Sequence, residues 1–189
     1  MSVAVRSIAA VFAAFLVLAC MSDVSVQANH ERRLARARES LARSVAGLDR
    51  LEGADALVER ARKYEKLFAD EKSVIMSEFY GVTGVAYRNA VRAVVAAEHD
   101  RAAAGSAQMA VASAHRVRDV VEQYESSRLR VLQGGGGNID VYTQAQVSGP
   151  RLATMVYLEL SADYADEAEQ TAYSTSPVRS TPTLEETDP

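Results

Sequence analysis

The chain contains few of the residues that usually build reactive or cross-linked sites. Its 189 residues include one cysteine, three histidines, four prolines and no tryptophan, and only 6% of them are aromatic. One cysteine cannot form a disulfide within the chain. The low aromatic content also argues against a large aromatic core, since aromatic side chains usually dominate the area buried in one.

The histidines are too far apart to form a metal site within one chain. His99 and His115 are separated by 16 residues, which is about 24 Å along a continuous helix. Ala96 and Ala112 stand three residues before them, so neither histidine belongs to the Glu-x-x-His motif of carboxylate di-iron bundles. We therefore predict no bound metal and no cofactor.

Recognisable catalytic motifs are also missing. The glycine run at residues 134–137 follows a predicted helix and precedes Asn138, whereas a phosphate-binding loop follows a strand and ends in Gly-Lys-Ser/Thr. A loop that ends the helix is the expected structure of this run. The chain has no Gly-x-Ser-x-Gly nucleophile elbow. These observations predict a protein that is not an enzyme.

Charge is distributed unevenly along the chain. The formal net charge is −4, and residues 134–189 contain 9 acidic and 2 basic side chains, while the preceding segments are nearly balanced. A nucleic-acid-binding domain normally carries a basic surplus on one face. We therefore expect no nucleic-acid partner.

Residues 1–28 have the three parts of a secretory signal peptide. Arg6 is their only basic residue, residues 8–19 form a 12-residue apolar run, and Val26-Gln27-Ala28 precedes a cleavage site between Ala28 and Asn29. The apolar run is shorter than the about 20 residues that span a membrane. The expected product is secreted, or resides in a secretory compartment, and begins at Asn29. An uncleaved signal anchor and a buried N-terminal helix are the alternatives.

Cys20 permits a different interpretation of the same segment. Val17-Leu18-Ala19-Cys20 resembles the bacterial lipobox, in which the cysteine is lipidated and becomes the N-terminus. If cleavage instead falls after Ala28, the mature chain has no cysteine and enters an oxidising route without any disulfide. Its stability must then come from helix packing.

The rest of the chain to residue 173 has helical periodicity. Apolar residues recur every three or four positions in residues 30–52 and 54–79, and Phe68 is one of them. Residues 84–133 contain 12 alanines, 9 valines and no proline, which favours one long helix. A further helix is predicted over residues 151–173, with Met155 on its apolar side, and residues 138–149 are either loop or a short helix.

Tyr80-Gly81-Val82-Thr83-Gly84 is the first clear turn signal. It separates two arms of similar length and predicts an all-α fold, a long antiparallel hairpin of coiled-coil type against which the third helix packs. Gly53 and Gly105 are the weak points, because glycine destabilises a helix interior. If both interrupt their helices, the same residues form a compact helical bundle.

The expected domain organisation follows from these segments. Residues 1–28 are the signal peptide and residues 29–173 the helical domain. Residues 174–189 contain three of the four prolines together with serine, threonine and acidic residues. This composition predicts a disordered tail, because it cannot bury enough apolar area to offset the entropy of ordering.

The predicted cleavage point is followed by the short motif Arg32-Arg33-Leu34-Ala35-Arg36. It resembles the Arg-x-Leu export and processing motifs of secreted apicomplexan proteins, particularly the Arg-Arg-Leu form of dense-granule proteins. The resemblance implies that Arg32, Arg33 and Leu34 are recognised by an aspartyl protease that cuts after Leu34. The motif departs from the family at Arg36, where an acid is common. The oomycete motif Arg-x-Leu-Arg is also similar, but has arginine where this chain has Ala35.

Together these features predict a secreted, non-enzymatic helical protein that acts through its surface. It would bind an unidentified protein partner or serve as a scaffold or surface component, and homo-oligomerisation is compatible with such a role. The first alternative is an amphipathic-helix protein that contacts the membrane of a secretory compartment or vacuole, since the first helix has basic flanks. A bacterial-type lipoprotein is the second alternative.

Overall fold

The computed structural model describes residues 25–46, 51–133 and 139–174, and these residues are helical with short connections and without β-strands. The helices are α1 (residues 25–45), α2 (Ala54–Asp70), α3 (Val74–His99), α4 (Ala104–Gln133) and α5 (Ile139–Ser174), with a 3₁₀ turn at Arg101–Ala103. The predicted all-α fold class is confirmed. The lipobox-like cysteine, the glycine run and the tail after Ser174 lie outside the described residues.

The chain divides at Val45 into two compact units. The first unit contains most of α1, whose amphipathic pattern matches its burial: Leu34, Ala37 and Leu41 are buried and the arginines between them are exposed. The second unit contains α2 to α5. It has one continuous core, so each helix there is stabilised by burying its apolar face rather than by propensity alone.

Helix α3 is the centre of the second unit, because it contacts α2, α4 and α5. Its neighbours α2 and α4 run antiparallel to it, whereas α5 runs parallel: Glu78 near the start of α3 pairs with Arg151, and Arg92 near its end pairs with Asp166. Helix α5 also packs against α4.

Small residues allow α3 and α4 to approach closely, as expected for alanine-rich faces. Seven fully buried alanines lie on the two helices: Ala86, Ala90, Ala93, Ala96, Ala107, Ala110 and Ala114. Aromatic residues are few, but five of them join the core: Tyr64, Phe79, Tyr80, Tyr87 and Tyr124. The core therefore combines closely packed alanines with a small number of aromatic rings.

The predicted turn at residues 80–84 is wrong, because α3 runs through it without interruption. Gly81 and Gly84 are helical and face α2. A Cβ at Gly81 would lie 3.2 Å from a ring carbon of Phe68, and one at Gly84 would lie 3.6 Å from Glu65 Cγ. The glycines therefore provide room for a neighbouring helix, and the sequence signal for a turn was in fact a signal for close packing.

The continuous helix predicted over residues 84–133 is also wrong, and so is the long hairpin. The chain leaves helical geometry at Asp100, which has φ −136° and ψ 119°, and Asp100 Oδ1 accepts a hydrogen bond from Ala102 N at 2.9 Å. Gly105 lies inside α4. The break therefore lies at Asp100, whose side chain caps the following 3₁₀ turn, and not at a glycine, and the compact bundle is the architecture that forms.

The first arm breaks before Ala54 at the expected weak point Gly53, which is the N-cap of α2. It breaks again at Glu71–Ser73, where Ser73 caps α3, and this second boundary was not predicted. Helix α5 begins at Ile139, so Pro150 lies within it instead of starting it. The residues left ambiguous before Pro150 are therefore helical from Ile139 onward.

Candidate functional site

The residues predicted to be processed all lie on α1. Ala28, Asn29, Arg32 and Arg33 are exposed or half-buried, whereas Leu34 is buried. The two predicted cleavage positions, after Ala28 and after Leu34, are therefore within the same helix. The arginine side chains of the motif face solvent, and the leucine belongs to the packed side of α1.

A row of polar side chains lines the contact of α4 with α2 and α3, and we call it the polar seam. Its members on α4 are spaced at intervals of three and four residues, so they share one helix face. They are His115, Arg118, Glu122 and Glu125, and they lie opposite Glu52, Arg60, Tyr64, Tyr80 and Tyr87.

One end of the polar seam holds a histidine between an acid and a base. Arg60 Nη1 lies 2.6 Å from Glu52 Oε1 and donates to His115 Nε2 at 2.9 Å, while His115 Nε2 is 3.1 Å from Glu52 Oε2. Desolvation lowers the pKa of His115, although the negative charge of Glu52 partly opposes it. Neutral imidazole is therefore the favoured form, and it accepts the hydrogen bond of Arg60.

Tyrosines fill the middle of the polar seam. Tyr64 Oη donates to Glu122 Oε1 at 3.3 Å, and Tyr80 Oη donates to Glu125 Oε1 at 3.0 Å. The Tyr64 ring stacks on Tyr87 at 5.9 Å between centroids. Burial and the hydrogen bond to Glu125 raise the pKa of Tyr80 to about 12, so the phenol stays protonated and acts as a donor at neutral pH.

Tyr87 differs from Tyr64 and Tyr80 because its hydroxyl is buried without a hydrogen-bond partner among the described residues. Burial raises the pKa of Tyr87, and the positive charges of Arg118 and Arg60 partly offset that effect. The Arg60 guanidinium carbon is 5.9 Å from the centre of the Tyr87 ring, within cation–π range. The ring is well packed, whereas its polar atom is not satisfied.

The polar seam offers no evident route to catalysis. His115 Nε2 is engaged by Arg60, Glu52 is paired with that same arginine, and the raised pKa values of the tyrosines disfavour nucleophilic phenolate. No group of histidine, cysteine and acidic side chains suitable for a metal ion occurs in the part of the chain that the structure describes. The arrangement joins α2, α3 and α4 by specific polar contacts.

A second feature is an exposed apolar surface across α2, α3 and α5, which we call the apolar strip. It comprises Phe68, Gly81, Val85 and Met155. Phe68 lies against Gly81, Val85 follows one helical turn later, and Met155 lies one turn beyond Arg151, which pairs with α3. Phe68, Val85 and Met155 are 50%, 47% and 50% exposed, although the periodicity predicted Phe68 and Met155 on buried sides.

Ion pairs surround the apolar strip. Arg88 pairs with Glu65 at 2.6 Å, and Arg151 pairs with Glu78. Arg92 binds Asp166 at 2.8 Å and Glu169 at 2.6 Å, and its hydrogen bonds to Glu169 and Asp166 raise its pKa. An apolar centre within a polar rim is the composition of many protein–protein interfaces.

A groove of about 340 Å³ lies between α4 and α5. It is lined by Val120, Gln123, Tyr124, Ser127, Gln146 and Pro150. The positive charges of Arg128 and Arg151 lie near Tyr124 and partly counter the rise that burial causes in its pKa. The groove contains no acid or histidine among its lining residues.

No helix among the described residues is long and apolar enough to cross a membrane. Comparison of the chain with protein-family models, with curated proteins and with solved structures finds no significant match.

Sequence reasoning missed both the polar seam and the apolar strip. The spacing of His115, Arg118, Glu122 and Glu125 was a readable signal, because polar residues at such intervals on an alanine-rich helix must face either solvent or a polar partner. The apolar strip had no comparable signal. Phe68 and Val85 have helical spacing relative to buried residues, and only the packing of α2 on Gly81 shows that they face outward.

Proposed function

We propose that this chain is a secreted, non-enzymatic helical protein that acts by binding other proteins, or as a scaffold or surface component. The apolar strip within its rim of ion pairs is the observation that supports this proposal. Three apolar side chains at about half exposure are grouped on adjacent helices rather than scattered singly, and such a grouping is typical of a surface that a partner covers.

The charge arrangement of the rim also favours a protein partner. The rim contains both signs in close pairs, so it presents no broad basic or acidic field for a polyanion or a lipid surface. Alternating charges instead suit an interface in which geometry and local complementarity select the partner.

The test uses the protein as bait and compares the binding partners that wild type captures with those that Val85→Asp captures. Leu129→Asp is a matched control, since Leu129 is 49% exposed and Val85 is 47% exposed, but Leu129 lies on α4 away from the strip. The proposal expects a defined partner that is lost with Val85→Asp and retained with Leu129→Asp. Equal capture by all three proteins, or none by wild type, contradicts it.

A membrane-associating protein is the second candidate, and the exposed arginines of α1 favour it. Arg32, Arg33 and Arg36 all face solvent on a helix whose other side is apolar. Such a helix can lie on an anionic surface. Flotation with vesicles of phosphatidylcholine alone or mixed with phosphatidylserine tests this: binding only to the mixed vesicles, lost in the triple substitution of these arginines by glutamine, supports the membrane role.

A further inference from the structure

The outward face of α3 carries two opposite charges at equal distances on either side of Val85. Glu78 lies seven residues before Val85 and Arg92 lies seven residues after it. Seven residues are close to two helical turns, so all three side chains project from the same face. An acid at one end, a base at the other and an apolar residue in the middle make this face complementary to itself when reversed.

Helix α5 extends the same order, because it is parallel to α3. Arg151 stands beside Glu78 at one end of the strip, while Asp166 and Glu169 stand beside Arg92 at the other. Each end of the strip therefore carries both positive and negative side chains. At one end the acid is on α3 and the base on α5, and at the other end the base is on α3 and the acids on α5. A partner that covers the whole strip must present the same charges in the opposite direction.

We propose that the apolar strip binds a second copy of this chain, with the two α3 helices antiparallel about a two-fold axis at Val85. In such a pair, a residue that lies a given number of positions before Val85 in one copy faces the residue that lies the same number of positions after Val85 in the other copy. Glu78 then faces Arg92 of the second copy, and this contact occurs twice by symmetry. Arg151 in turn faces Asp166 and Glu169 of the second copy.

The apolar residues occupy the middle of this arrangement. Val85 meets its own equivalent at the axis, and the half-exposed Phe68 ring lies over Gly81 beside it. Phe68 and Met155 flank the contact from α2 and α5. The strip is narrow, so we expect a small interface and a dimer of modest affinity. Dimerisation should weaken at high salt, because the ion pairs of the rim are exposed to solvent.

Charge reversal gives a sharp test, because two variants that each fail to self-associate should bind each other. Glu78→Arg places arginine opposite Arg92 twice, and Arg92→Glu places glutamate opposite Glu78 twice. In the mixed pair, the two introduced side chains face each other with opposite charges, and the native Arg92 of one variant faces the native Glu78 of the other. Both contacts are then attractive again. We expect each variant alone to self-associate at least about tenfold more weakly than wild type, and the mixture to recover wild-type association.

Sedimentation velocity of the whole protein measures this, over a concentration series that reaches about 0.2 mM to populate a small interface. Glu59→Arg and Arg116→Glu are the control pair: both residues are exposed, and they lie on α2 and α4 outside the strip. Val85→Asp should abolish the dimer and Leu129→Asp should not. Helical content and melting temperature of each variant show that the fold is intact.

A protein that stays monomeric throughout the series overturns the inference, and so does a dimer that Val85→Asp and the charge reversals leave unchanged. Failure of the mixture to recover association, with both variants folded, also contradicts it. The inference rests on the proposed interaction role but fails separately. A monomer that still captures a defined partner refutes only the dimer, whereas a dimer without any partner refutes binding to other proteins.

Discussion

Tyr87 places a hydroxyl group in the core without a well-formed hydrogen bond to any described residue, although the Arg118 guanidinium lies close enough to lower its pKa. A buried polar group without a partner costs roughly 1–3 kcal/mol. Tyr87→Phe keeps the ring stack on Tyr64 and removes only that hydroxyl. We therefore expect the free energy of unfolding in urea to rise by about 1 kcal/mol.

Tyr64→Phe is the matched control for this substitution. Tyr64 also lies in the polar seam, but its hydroxyl donates to Glu122, so its removal should lower stability or leave it unchanged. A loss of stability in Tyr87→Phe would mean that the hydroxyl has a partner in solution, such as a buried water or the nearby guanidinium of Arg118.

His115 should make the stability of the protein depend on pH. Its ordinary pKa is 6.5, and burial lowers the pKa in the folded state. The unfolded chain then binds the proton more readily than the folded chain, so stability falls as the pH drops below about 6.5. Above that pH the histidine is neutral in both states and contributes no such dependence.

The groups that face His115 agree with this sign. Protonated His115 would confront Arg60 from α2 and Arg118 on α4, while Glu52 and Asp119 would attract it and Tyr87 is neutral. Melting curves between pH 5 and 7 for wild type and His115→Gln give the test. Wild type should lose more stability than the variant on acidification below about pH 6.5, and the two curves should run parallel close to pH 7. Curves that stay parallel over the whole range would show that His115 does not titrate in it.

At the scale of the helices, Asp100 determines where α3 ends and α4 begins. Its carboxylate accepts a hydrogen bond from Ala102 N at 2.9 Å and caps the turn that starts α4. Asp100→Ala removes this cap and should lower the free energy of unfolding by about 1 kcal/mol. Asp100→Asn retains an acceptor oxygen and should cost less. Equal losses in both variants would point to charge rather than capping.

Gly105 provides the complementary test of the same boundary. It lies in the first turn of α4, and no atom outside its own helix lies within 4 Å of an added Cβ. Gly105→Ala should therefore raise the free energy of unfolding by up to about 1 kcal/mol, through helix propensity and a more restricted unfolded chain. Destabilisation by this alanine would place the helix break at Gly105 instead of Asp100.

Individual residues show how much of the fold could be predicted from the sequence. The helical class and core residues such as Leu57 and Tyr64 followed from periodicity, because burial on one face imposes it. The helix boundaries could not be predicted from periodicity, because glycine occurs both in turns and where two helices pack closely. Gly81 serves the approach of Phe68, and propensity cannot distinguish that use from a turn. Asp100 acts through one side-chain hydrogen bond, and the hydrophobic periodicity of the sequence does not predict such a bond.

At the scale of the whole molecule, α1 constrains where the mature chain can begin. Cleavage after Ala28 removes one turn of α1 and leaves Leu34, Ala37 and Leu41, its buried residues, on the mature chain. Cleavage after Leu34 removes one of the three and shortens the helix to residues 35–45. That is below the about 12–15 residues at which an isolated helix becomes marginally stable.

We therefore predict that the mature chain begins at Asn29, where an asparagine can also cap the shortened helix through its side-chain oxygen. Intact-mass measurement and N-terminal sequencing of the protein recovered from the medium test this together. A chain that begins at Ala35 would support processing at the Arg-Arg-Leu motif, and would require α1 to open for the protease. A chain that begins at Cys20 with the added mass of a lipid would replace the secreted interpretation with the lipoprotein one.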